Sequence, residues 1–142
     1  MKSLLSISFL TLIMTNLAAA ETMFLTIAHE IEQTGSIVCS VFTSEETFLR
    51  KPLKTIRVEV SSSDSTELKL QLEPQTNYAL SCYLDSNDNS KLDTNILGIP
   101  LEPVATSNNA TATFGPPSYG DAVFTISTGA EKHQYISLDF AL

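Results

Sequence analysis

The sequence predicts an all-β fold: an immunoglobulin-like or transthyretin-like antiparallel β-sandwich of about seven strands with one long irregular loop region. Three observations predict it. Apolar residues recur at every second position in a series of short runs, and turn-forming residues separate those runs. In addition, Leu72-Glu73-Pro74-Gln75-Thr76-Asn77-Tyr78 has the form of a tyrosine corner, in which a Tyr opening a late strand bonds back to upstream backbone. Period-two alternation with polar partners buries one face of a strand and wets the other, the habit of antiparallel sheets.

Residues 1–20 read as a secretory signal peptide. Lys2 supplies a positive start, residues 4–17 form an apolar stretch, and Ala18-Ala19-Ala20 offers a small-residue cleavage site before Glu21. The stretch is shorter than the ~20 residues a membrane span needs, and Thr11, Thr15 and Asn16 interrupt it. The expected mature chain is therefore one domain over residues 21–142, exported to the periplasm or the extracellular space.

Within that domain Met23, Leu25 and Ile27 alternate with Phe24, Thr26 and Ala28. Ile37, Cys39 and Val41 alternate with Ser36, Val38 and Ser40, and Ile56, Val58 and Val60 alternate with Arg57 and Glu59. Leu68, Leu70 and Leu72 form a fourth run, and Tyr78, Leu80, Cys82 and Leu84 a fifth. Residues 123–126 and 135–140 complete the set. Only Ser44-Glu45-Glu46-Thr47 reads as a helix start, and a brief one. From Asp85 to about Gly120 the alternation is lost, and so long an irregular stretch in a compact domain points to function or disorder. Leu92, Ile96, Leu97, Ile99, Leu101 and Phe114 punctuate it, so it is expected to pack over one end of the sandwich.

Cys39 and Cys82 both fall on core-facing positions of different strands in an exported chain. They are expected to form a disulfide bridging the sandwich, and the absence of a C-x-x-C pattern argues against thioredoxin-type chemistry.

The strongest chemical signal is Asp85-Ser86-Asn87-Asp88-Asn89-Ser90-Lys91-Leu92-Asp93. Asp85, Asn87, Asn89 and Asp93, with the Lys91 carbonyl, reproduce the one, three, five, seven, nine spacing with which a loop wraps oxygen donors around calcium. The loop is partial, because Ser90 stands where a sharp turn favours Gly and Ile96 where a bidentate Glu would close the site. Asp and Asn also build turns through their own side chains, which is the competing reading. Calcium is the one cofactor the sequence points to.

A formal charge of −8, with no basic stripe and no Trp, argues against nucleic acid as a partner and favours divalent cations. No second apolar run could span a membrane in the mature chain. His29 and His133 lack metal-ligand spacing, and His29 is expected at the surface. No nucleophile-elbow or phosphate-loop motif is present. Asn109-Ala110-Thr111 is a glycosylation sequon, relevant only in a host that glycosylates.

Asp85-Ser86-Asn87-Asp88-Asn89, Lys91-Leu92-Asp93-Thr94-Asn95, Leu97-Gly98-Ile99-Pro100, Ser107-Asn108-Asn109 and Phe114-Gly115-Pro116-Pro117 resemble, in that order, the bacterial secreted family called domain of unknown function 2141. The resemblance covers nearly all of the mature chain, and it departs at Ser90, Val104 and Thr106. It implies an exported bacterial β-sandwich and brings no activity with it. Two functions remain: a non-enzymatic binding or structural module acting on a protein or small-molecule partner, or a hydrolase-like enzyme using Asp93, Asp121 and Ser118. A cleft joining Asp93 to Asp121 would mark the enzyme.

Overall fold

The computed structural model describes residues 19–30, 32–60 and 62–140. Up to residue 18, the expected signal peptide lies outside the described residues. Among the described residues there are eight strands, in chain order β1 (Glu21–Ala28), β2 (Ser36–Phe42), β3 (Lys54–Glu59), β4 (Ser65–Leu72), β5 (Asn77–Asp85), β6 (Val104–Thr106), β7 (Phe124–Thr125) and β8 (Lys132–Ser137). They form two sheets, one ordered β4-β1-β8 and the other β3-β2-β5-β6, with β7 also paired to β5.

The alternating positions fall where their polarity requires. Met23, Leu25, Ile27, Leu70, Leu72 and Ile136 from one sheet meet Ile37, Cys39, Val41, Tyr78, Leu80 and Leu84 from the other in a single buried cluster. Removing such side chains from water stabilises each by roughly 1.5–3 kcal/mol, which makes this interface the principal source of stability. The Tyr78 hydroxyl accepts a hydrogen bond from Glu73 N at 2.9 Å and lies 3.2 Å from Glu73 O, the back-bond the corner requires.

Four expectations are corrected. The sandwich is not wholly antiparallel, since β8 runs parallel to β1, with Leu25 beside Gln134 and Ile27 beside Ile136. The Cys39–Cys82 disulfide does form, but it does not cross the sandwich. The two residues are register partners on the neighbouring strands β2 and β5, with Cα atoms 4.1 Å apart. The stretch after Asp85 is not wholly irregular, as it holds β6, a 3-10 turn (Ser107–Asn109) and one helical turn, α1 (Tyr119–Ala122). His29 is buried rather than at the surface, with its Nε2 2.9 Å from Thr66 Oγ1.

Strand register fixes the two ends of the molecule. The start of β2 faces the end of β5 (Ser36 opposite Asp85), and the end of β2 faces the start of β5 (Phe42 opposite Ala79). The 86–103 loop therefore caps one end. The 43–53 loop and α1 cap the other, where Phe42, Phe48, Ala79 and Ala122 form a small second core.

Candidate functional site

The calcium-like spacing lies at the first of these ends and begins on the last residue of β5. Asp85 has outward parity on its strand, yet its side chain is fully buried because the following turn folds back over it. Its carboxylate accepts hydrogen bonds from Arg57 Nη1 at 2.7 Å, Ser90 N at 2.8 Å and Asn89 N at 3.0 Å. Arg57, from β3, also donates through Nη2 to Asp88.

Burial by itself would push the Asp85 carboxyl up. The Arg57 guanidinium and the N–H groups of Ser90 and Asn89 outweigh it and hold the group below its ordinary 3.8. The bond to Asp85 in turn raises the Arg57 guanidinium. A carboxyl depressed by folding stabilises the native state fully above its unfolded pKa and loses that contribution as pH falls through the folded pKa. We therefore expect the denaturation midpoint to fall as pH drops below about 4. Asp85→Asn should flatten that acid limb, and equal limbs for wild type and variant would rule out Asp85 as its source.

The remaining members of the spacing form a second knot. Asn87 Nδ2 donates to Asp93 at 2.6 Å, and Asn89 Nδ2 reaches both oxygens of the same carboxylate at 3.1 and 3.0 Å. Asn87 Oδ1 accepts from Asn89 N and Asn89 Oδ1 accepts from Lys91 N, two successive side-chain turns. Lys91 itself is exposed. The structure thus brings Asn87, Asn89 and Asp93 together and directs Asp85 inward to Arg57. Ser90 has φ 63°, a left-handed conformation for which Gly is better suited. Among the described residues, no group of three or more His, Cys, Asp or Glu side chains is gathered for a metal ion.

Arg57 and Glu102 are site residues that the spacing did not show. Glu102 is buried; its Oε1 accepts from Ser86 N and Ser86 Oγ, and its Oε2 from Asp93 N. It ties the beginning and end of the acidic turn to the strand that follows. Neither residue has a local pattern that distinguishes it, because both act across the fold.

From Asp93 to Leu101 the chain makes a narrow hairpin. Leu101 N donates to Asp93 O, Asn95 N to Ile99 O and Gly98 N to Asn95 O. The Asn95 Oδ1 accepts from both Leu97 N and Ile99 N. The tip is thereby closed by its own hydrogen bonds and held away from the core. The hydrophobic pattern predicts packing over the sandwich for Ile96 and Leu97, but they stand in solvent at 102 % and 78 % exposure. Leu101 and Phe114 are likewise exposed, and Leu92 and Ile99 are exposed to a lesser degree.

Of the residues of the hydrolase alternative, Ser118 and Asp121 are brought together and Asp93 is not. Asp121 pairs with Ser118 Oγ at the start of α1, which packs at the opposite end from Asp93. The Asn109 side chain donates to Tyr135 O and accepts from Ser137 N, so the sequon amide closes an edge of β8. His133 stacks between Phe24 and Tyr135 on the outer sheet face.

Among known proteins, the model of a family described as an uncharacterized protein conserved in bacteria, domain of unknown function 2141, matches residues 25–134. The chain belongs to that family. No curated protein and no solved structure matches it.

Proposed function

We propose that this protein is an exported, non-enzymatic binding module whose contact element is the hairpin at residues 93–101. The observation that carries the reading is a pair of large aliphatic side chains, Ile96 and Leu97, displayed on a tip whose N–H groups at positions 95, 97, 98 and 99 are bonded within the hairpin. Such a tip can enter an apolar environment without stripping those donors of partners, a step that is otherwise costly. The Asp85–Arg57 and Glu102 contacts hold its base, so less ordering is left to do on binding. Export is supported by the signal-like start of the sequence and by the disulfide.

A photo-crosslinking residue placed at position 97 should yield an adduct in the exporting cell. The same residue at Glu67, on the outer face of β4, should not. Equal adducts at both positions, or none at 97, would remove the hairpin from this role.

Calcium at the adjoining turn is a second reading, supported by the convergence of Asn87 and Asn89 on Asp93. Their amide N–H groups lie where a cation would neutralise the carboxylate, so binding requires both amides to turn their oxygens inward. Asn87, Asn89, the Lys91 carbonyl and Asp93 would be the ligands, and Asp85 would join them only by leaving Arg57 and the Asn89 and Ser90 N–H groups. With a Kd of ~10⁻⁴ to 10⁻³ M, 10 mM calcium should stabilise the fold by about 1–3 kcal/mol. Asp93→Ala should abolish that response, and a melting temperature indifferent to calcium leaves the amide-closed turn as the whole account.

A further inference from the structure

A cleft of about 460 Å³ opens beside the acidic turn, and none of its lining residues belongs to the hairpin. Its walls come from the chain leading into β2 (Gln33, Ser36), from the end of β3 and the residue after it (Glu59, Val60), and from Asp88 of the turn. Glu59 is the register partner of Ser36, and register partners present their side chains on one face of the sheet. The Ser36 hydroxyl in turn donates to Asp88 Oδ1 at 3.4 Å. Ser36 thus links the two carboxylates that border the cleft.

We propose that this cleft binds a primary alkylammonium group, as carried by a small amine or polyamine. Charge selects a cation. Arg57 is engaged by Asp85 through Nη1 and by Asp88 through Nη2, and Glu59 lies two places along the same strand face. One guanidinium therefore stands against three carboxylates. Glu59 has no ion-pair partner among the described residues, and none of the described lining residues is Lys, Arg or His. That wall repels anions, in a chain whose net charge of −8 already draws cations.

Hydrogen bonding selects a donor. Asp88 Oδ1 takes the bonds from both Ser36 and Arg57, and its Oδ2 takes none among the described residues. Gln33 Oε1 is closed to water and meets no donor among the described residues, an arrangement that costs about 1–3 kcal/mol for a buried acceptor. The Gln33 side chain is half-buried, so turning it into the cleft gains a bond for that oxygen and breaks none there. An ammonium group brings three N–H donors and no acceptor, with the charge on the same atom. Apart from Gly35 and Val60 every described lining residue is polar, which leaves too little apolar wall for a hydrocarbon ligand.

Titration of the purified protein with 1,4-diaminobutane at fixed ionic strength, followed by amide chemical shifts, tests the proposal. The shifts should saturate with a Kd of ~10⁻³ M and centre on residues 33–36, 59, 60, 62 and 88. Tetramethylammonium, which carries the charge without an N–H, should bind at least ~5-fold more weakly. Glu59→Gln and Gln33→Met should each weaken diaminobutane by ~3–10-fold, the scale of one lost hydrogen bond. Glu67→Gln, on the outer face of β4, should leave the Kd unchanged. Gln33→Met keeps the side chain's length, so it still reads the amide oxygen if Glu59→Gln disturbs β3. Shifts that spread over the acidic surface without saturating would overturn the proposal, as would equal binding of tetramethylammonium. So would Glu59→Gln and Gln33→Met both behaving like Glu67→Gln. D-glucose shifting the same amides more strongly would replace the cation with a neutral hydroxylated ligand and overturn it too.

Discussion

Removing the Cys39–Cys82 disulfide is expected to destabilise the protein by about 4 kcal/mol, through the entropy that its unfolded chain regains. The bridge spans a sequence separation of 43 residues, long enough for loop closure to restrict the denatured ensemble considerably. In the native state β2 and β5 are already paired over seven positions, so the bridge is not needed to bring them together. Both cysteines are fully buried within the main core. A Cys39→Ala, Cys82→Ala double variant therefore also loses packing atoms, whereas chemical reduction does not. Against a typical total of ~5–15 kcal/mol, a loss of this size leaves a marginal fold. Urea melts of the untreated, reduced and double-variant proteins measure it directly. A reduced protein within about 1 kcal/mol of the oxidised one would show that the denatured chain is compact enough to make the cross-link redundant.

The same cysteines show what the sequence could reveal. Alternation placed Cys39 and Cys82 correctly on core-facing positions. Parity alone, however, is equally compatible with partners across the sandwich and with partners side by side in one sheet. Direction was hidden for a related reason: β8 has the same period whether it lies parallel or antiparallel to β1, and only its pairing with Met23 to Ala28 decides. The Tyr78 corner was legible because it is local, with donor and acceptor five residues apart.

At the candidate site the turn-forming residues were legible and their partners were not. Asp85, Asn87, Asn89 and Asp93 stand out by spacing. Arg57 lies 28 residues from Asp85 in sequence, and Glu102 reaches Ser86 from 16 residues away. Composition also misplaced Ile96 and Leu97. Hydrophobicity expresses a preference for burial, but Asn95 fixes the hairpin so that this preference is not met within the monomer.

Gly35→Ala is expected to cost ~3 kcal/mol or more, the largest effect of any single methyl group at this end of the molecule. Gly35 has φ +117°, where an L side chain is strained. A Cβ there would lie 2.4 Å from Asp85 O and 2.9 Å from Ser86 Cα, both backbone atoms that cannot swing aside. Relief requires the start of β2 to part from the end of β5, where Ser36 pairs with Asp85. Gly35 O also accepts Val60 N, so the chain just past β3 would be drawn along. The disturbance would reach the Arg57–Asp85 contact and, through it, the base of the hairpin. Gly98→Ala supplies the internal control. Gly98 has φ +79° but open space around its Cα, so its substitution should cost only the conformational part, ~1 kcal/mol. Urea melts of the two variants should therefore differ by at least ~2 kcal/mol, and hydrogen exchange at Asn89 N and Ser90 N should accelerate in Gly35→Ala alone. Equal losses in the two variants would mean that the close approach to Asp85 is not what locks the turn.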